Sequence, residues 1–223
     1  MFDFLSEYQK RFWEMIMIPA FSSTIKMVII TTILATILGL VVAIILLVTN
    51  EEGMHQNKVI YGIISFIVNV IRSFPFVILM VFLLPLTKSI TGTSFGVKAA
   101  LIPLTVSATA FIARLIENAM KEVDPDLIEA MKSFGISNFQ LVFNVILSEA
   151  APAIMSGIVL ATISILGSTA MAGTMGAGGI GSVAITYGYQ SFNDRVMYMT
   201  ATILVIMVQG IEVIGNWIYR KMK

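Results

Sequence analysis

The sequence predicts an all-α, polytopic membrane protein with five transmembrane helices and one short polar helix between the third and fourth. Three observations carry that expectation. Hydrophobic residues make up 57% of the chain and charged residues only 12%, where an ordinary soluble domain has about twice that charged share. Mean hydropathy is +0.92. The apolar residues lie in long runs of roughly 20, the length a helix needs to cross about 30 Å of hydrocarbon, and not in the short alternating or amphipathic stretches of a soluble core.

The first span is expected at about 20–49, its clearest part being the charge-free run Met27 to Thr49. A polar connection through Glu51, Glu52, Gly53 and His55 follows. The second is expected over Val59 to Thr87, apolar except for Arg72. Lys88 to Lys98, with Gly92 and Gly96 among serines and threonines, reads as a loop. The third span is expected at 97–120, with Arg114 and Glu117 near its end, three residues apart and able to pair on one face. The fourth is expected at 145–171, followed by irregular backbone through Gly173, Gly176, Gly178, Gly179 and Gly181, which a membrane tolerates only where it is packed in protein or lines a watery path. The fifth, at 196–219, ends in Arg220, Lys221 and Lys223. One membrane domain is expected over 1–223.

Five spans put the termini on opposite sides. Basic residues fall evenly: Lys58, Lys121, Lys132, Arg220, Lys221 and Lys223 on one side, Lys10, Arg11, Lys26, Lys88, Lys98 and Arg195 on the other. Charge bias therefore leaves orientation open. The chain's start carries acids and aromatics ahead of its first basic pair, unlike a cleaved secretory signal, so the first apolar run is expected to stay in the protein.

Several chemistries are excluded. A net charge of +1 provides no basic field for nucleic acid. Without cysteine, and with His55 the sole histidine, there is no disulfide, thiolate site or polyhistidine metal centre. Neither H-E-x-x-H nor G-x-S-x-G occurs, no carboxylates pair within a span, and the phosphate loop G-x-x-x-x-G-K-[ST] is missing, so no catalytic set, metal or cofactor site is expected and any coupling to ATP would need a partner. Gly176-Ala-Gly-Gly-Ile-Gly181 fits G-x-G-x-x-G in spacing but follows a membrane helix instead of a strand, and reads as a flexible loop or re-entrant turn.

The most informative polar stretch is Glu122 to Gly135. Asp124 is placed to cap a helix, Pro125 suits its first position, Asp126 suits the positive helix end, and Gly135 can take the left-handed conformation beyond its end. The helix expected at about 125–134 is too short and polar to span. Leu127, Met131 and Phe134, at i, i+4 and i+7, give it an apolar stripe. It is either an interfacial linker or a helix that docks on a partner.

Glu129-Ala-Met-x-x-x-Gly135, followed by Val145-Ile-Leu-Ser-Glu-Ala, is similar to the EAA signature of ABC importer permeases. Met131 replaces its second alanine, Val145 its isoleucine and Ser148 its proline. Arg72-Ser-Phe-Pro-Phe, Pro103-Leu-Thr, Ala113-Arg-Leu-Ile-Glu-Asn-Ala, Glu122-Val-Asp-Pro, Ser168-Thr-Ala-Met-Ala-Gly and Tyr187-Gly-Tyr-Gln extend the resemblance to the methionine-importer permease family over most of residues 25–220. The resemblance implies a homodimer in a bacterial plasma membrane, with the N-terminus outside and the C-terminus cytoplasmic. It implies methionine uptake by alternating access, ATP and Mg held by a separate cytoplasmic ABC ATPase dimer, and delivery by an extracytoplasmic substrate-binding lipoprotein. Asp124, Pro125, Glu129, Ala130, Met131 and Gly135 would then form the ATPase-coupling helix.

Pathway or gate candidates are Arg72, Pro75, Ser168, Met171 and Met175. An intramembrane charge costs about 3 kcal/mol and should face protein or water, so Arg72 is either a gate or a partner of backbone carbonyls that Pro75 frees. Ser168, Met171 and Met175 either line a route for thioether side chains or form a packing face. A permease for another small amino acid, and a stand-alone secondary transporter or channel, are the competing readings. The latter would carry inverted repeats and mid-membrane charges.

Overall fold

The computed structural model describes residues 10–51 and 53–222. The acidic, aromatic start of the chain, Glu52 and Lys223 lie outside them. Regular structure among the described residues is helical, without strands. The helices are α1 (Ile18–Thr49), entered through a π-helical turn at Trp13–Met17, α2 (Lys58–Ser73), α3 (Phe76–Phe82), α4 (Leu84–Thr91), α5 (Gly96–Lys121), α6 (Pro125–Ser133), α7 (Asn138–Gln140), α8 (Leu147–Ala172), α9 (Ile180–Val183) and α10 (Asp194–Met222). Among the described residues four continuous helical stretches are long and apolar enough to cross a bilayer: Lys10–Thr49, Gly96–Lys121, Asn138–Ala177 and Asp194–Met222. A fifth results if α2 and α3 count as one broken span.

That break corrects the expectation of a continuous second helix from Val59 to Thr87. Phe74 is extended, with φ −74° and ψ 129°, and Pro75 follows at φ −57° and ψ 132°. Proline supplies no amide hydrogen and disfavours helical backbone in the residue before it, so α2 stops there and α3 starts afresh. The expected loop Lys88 to Lys98 is shorter than its composition implied. Helix α4 continues to Thr91, where Gly92 at φ +74° closes it, and α5 starts at Gly96.

Helix α1 shows how the sequence sets packing. Its buried positions Met27, Thr31, Ala35, Gly39, Ala43 and Leu46 recur every three or four residues, while Ile33, Ile37 and Val41 face outward, as a helix between protein and hydrocarbon requires. Small residues at Ala35, Gly39 and Ala43 permit close approach. A Cβ on Gly39 would lie 2.9 Å from Ile112 Cγ2 and 3.2 Å from the Ala113 backbone nitrogen in α5.

The chain forms two compact units. Among the described residues one comprises 10–32, Pro75–Thr105 and Thr162–Ile211; the other comprises 33–51, 53–74, Val106–Ala161 and 212–222. The divisions fall inside α1, α5, α8 and α10 and at the Pro75 break. In the first unit Met27, Met80, Ala100, Leu104, Ala172 and Ala177 form one buried cluster, and Met17, Ala20, Val183 and Val196 another.

Candidate functional site: a capped polar helix, a buried charge network and a glycine turn

In the second unit, α6 is tied at both ends as its residues require. Asp124 Oδ1 accepts the Asp126 amide hydrogen at 2.9 Å, satisfying a donor that the helix itself cannot. Pro125 occupies the first helical position, where its missing N–H costs nothing. At the far end Gly135 has φ +76° and its amide donates to the Lys132 carbonyl at 2.9 Å. A Cβ there would meet nothing within 4 Å, so glycine is needed for backbone conformation and not for space.

No residue of α6 is buried. Leu127 and Met131 are half-buried and Ala130 is exposed. Phe134, just past the helix, is 80% exposed. The apolar stripe is therefore covered in part at Leu127 and Met131 and open at Phe134. A second face, Pro125, Ile128, Glu129 and Lys132, lines a cavity of about 400 Å³ that the ends of α1 and α5 close with Leu47, Met120 and Lys121 among others.

Beside this cavity sits a charge network that the sequence showed only in part. Glu117 is fully buried. Its Oε2 accepts from Arg114 Nη1 at 2.6 Å and its Oε1 from Lys121 Nζ at 2.7 Å. The Tyr61 hydroxyl donates to Oε1 at 3.4 Å, and the Lys121 ammonium lies 5.6 Å from the Tyr61 ring centre. Arg114 Nη2 donates to Ser65 Oγ, to the Ser65 carbonyl at 3.3 Å and to Asn69 Oδ1 at 3.2 Å. Residues 61, 65 and 69 are four apart and share one face of α2. The expected Arg114–Glu117 pair is present. Lys121 at i+4 and the Tyr61-Ser65-Asn69 spacing were readable signals that sequence reasoning passed over.

In the first unit the glycine stretch is a tight turn. Gly173–Ala177 continues α8 as a π-helical turn, interrupted at Met175 and at Gly176 with φ +87°; Gly178 and Gly179 also have positive φ. A Cβ on Gly181 would lie 2.3 Å from Ala170 Cα, and one on Gly173 2.6 Å from the Ser182 nitrogen. The turn thus folds back on the end of α8. Thr24 of α1 holds it: its Oγ1 accepts the Ile180 amide hydrogen at 2.9 Å. Nothing in local sequence linked those residues, which are 156 positions apart.

The remaining candidates spread along the chain. Arg72 and Pro75 are exposed at the α2–α3 break. The Ser168 hydroxyl donates to the Ser164 carbonyl at 3.0 Å. Met171 is half-exposed, and Met175 packs on the cluster containing Met27 and Met80. Of these, Met175 lies in the glycine turn itself, and the Met171 carbonyl accepts the Thr174 hydroxyl hydrogen at 2.7 Å.

Residues 35–223 match the family model described as "Binding-protein-dependent transport system inner membrane component". The chain is 38% identical over 206 residues to the "Probable D-methionine transport system permease protein MetI" of Vibrio cholerae, covering 92% of each. It is 41% identical over 174 residues to the "Methionine import system permease protein MetP" of Bacillus subtilis, covering 78% of each. Among solved structures it is similar to a chain of the MetNI methionine ABC transporter in inward-facing conformations, with a TM-score of 0.90 and 38% identity over 93% of this chain and 96% of that one. An amino acid ABC transporter structure shares the fold at TM-score 0.78 and 20% identity, covering 99% of this chain and 98% of that one.

Proposed function

We propose, because this chain belongs to the family of binding-protein-dependent transport system inner membrane components, that it is the membrane permease of an ATP-driven importer that carries methionine into the cytoplasm by alternating access. The observation that carries this reading is α6: a helix capped at both ends, without a buried residue, that leaves Phe134 and the open sides of the half-buried Leu127 and Met131 for another protein to cover. Its partner in this reading is a cytoplasmic ABC ATPase dimer holding ATP and Mg, with Ala130 permitting close approach and Gly135 the sharp exit. Glu129 and Lys132, on the adjacent face, set the charge of the cavity behind the contact.

The permease works as a homodimer, receives substrate from an extracytoplasmic binding lipoprotein, and lies with its C-terminus in the cytoplasm. Substrate passes between the two copies, and Arg72, Pro75, Ser168, Met171 and Met175 are the candidates for lining or gating the route. Methionine is assigned from the relatives' names, which include both methionine and D-methionine import. The chain is to be reconstituted in liposomes with its ATPase and binding protein, and uptake of labelled L- and D-methionine measured. Uptake that depends on ATP and on the ATPase is expected; uptake by the chain alone overturns the importer reading, and competition by unrelated small amino acids overturns methionine specificity.

A further inference from the structure

We infer that Arg114 and Glu117 are positioning residues that fix α2 to the end of α5 beside α6, and that this fixation is required for ATP hydrolysis to drive uptake. The inference rests on the importer reading. Its ground is the combination of a fully buried carboxylate, two cations on that one carboxylate, and a chain of contacts that ends at the cavity lined by α6.

A buried ion network is a poor way to hold two helices together, because apolar side chains of similar volume do so at least as well. It does fix register. The guanidinium is a planar fork whose donors lie in fixed directions. Here one Nη takes the Glu117 carboxylate, and the other takes Ser65 and Asn69 on successive turns of α2. Tyr61, one turn earlier, meets the same carboxylate. Two residues of α5 therefore hold about 12 Å of α2, the rise of eight helical residues, against sliding and rotation.

The opposite end of the network reaches α6. Lys121 Nζ bonds Glu117 Oε1, and Lys121 lines the cavity together with Ile128, Glu129 and Lys132. A displacement of α6 that reshapes this cavity acts on Lys121 and thence, through one carboxylate, on α2. Packed contacts of this kind transmit a displacement only if their members move together.

The test separates register from mere stability. In the complete transporter reconstituted with its ATPase and binding protein, Arg114 and Glu117 are replaced together by leucine, and ATP hydrolysed and substrate taken up are measured on the same vesicles. The complex is expected to assemble and hydrolyse ATP, while uptake per ATP falls about tenfold, within the usual range of coupling between sites. Glu117→Gln, which loses the charge and keeps one acceptor oxygen while setting an NH2 donor against the other cation, is expected to fall between wild type and the double-leucine variant. A double-leucine transporter with the wild-type ratio overturns the inference. If that variant does not assemble, Lys121→Met, at a side chain 39% exposed, takes its place, and an unchanged ratio there overturns it equally.

Failure of the importer reading is recognised separately, by a wild-type complex that takes up nothing. The network is then judged by distance. The chain has no cysteine, so spin labels on Ile63→Cys in α2 and Ser133→Cys in α6 are free of background. A broader distance distribution in the double-leucine variant supports the inference; an unchanged one overturns it.

Discussion

The Thr24–Ile180 hydrogen bond offers a direct test of how the glycine turn is held. Ile180 is the first residue of α9, and its N–H is one that a helix leaves unpaired. Gly179, in the capping position, has no side chain to accept it, so Thr24 serves as the cap from a different helix. Thr24 is 1% exposed and Ile180 fully buried, so water cannot replace the acceptor. Thr24→Val keeps the shape and removes the oxygen. Leaving a buried donor unpaired costs about 1–3 kcal/mol; a value near 2 kcal/mol corresponds to about 30-fold in the local opening equilibrium. Hydrogen exchange of the Ile180 amide should accelerate by about that factor, with the Ile112 amide of α5 as internal reference. Thr24→Ser, which keeps the oxygen, should stay within about threefold of wild type. Equal Ile180 exchange in the valine and serine variants would refute the reasoning.

Three further outcomes follow from the same structure. Gly181→Ala places a Cβ 2.3 Å from Ala170 Cα and 2.7 Å from its carbonyl oxygen; since backbone cannot yield cheaply, a loss beyond the usual overpacking cost of about 1–3 kcal/mol is expected, seen as failed accumulation in membranes. Gly167→Ala, with nothing within 4 Å, should accumulate normally. Gly135→Val forces a β-branched residue to φ +76° at a cost of about 1–2 kcal/mol; the dimer should remain folded while ATP hydrolysis separates from uptake, and Gly135→Asn, which tolerates that backbone, should preserve coupling. Glu117→Ala leaves Arg114 and Lys121 without their shared carboxylate and should destabilise by about 3–5 kcal/mol, read as a lower melting temperature in detergent.

Membrane residence, the helical class and the position of α6 were legible in the sequence because each rests on local physics. Run length against bilayer thickness predicts the spans, and Asp124, Pro125 and Gly135 mark a helix start and stop whichever protein surrounds them. The resemblance to importer permeases was likewise written in short motifs. Pro75 was read only as freeing backbone carbonyls within one continuous helix, because the extended state of Phe74 depends on where the chain goes next as well as on the proline. Of the charge network, Arg114 and Glu117 were visible as neighbours on one helix, whereas Ser65 and Asn69 became their partners only when α2 lay against α5.

By itself the sequence determined the solvent of this protein, four helices long and apolar enough to cross it and the ends of α6, since these follow from hydropathy, length and capping within a few residues of one another. Only the tertiary structure decided that Glu117 gathers two cations and a tyrosine, that Lys121 joins this group to the cavity behind α6, and that Thr24 caps a helix 156 positions away. A buried charge or amide must find a partner wherever packing supplies one, and that partner is set by which helices meet, information that no local pattern contains.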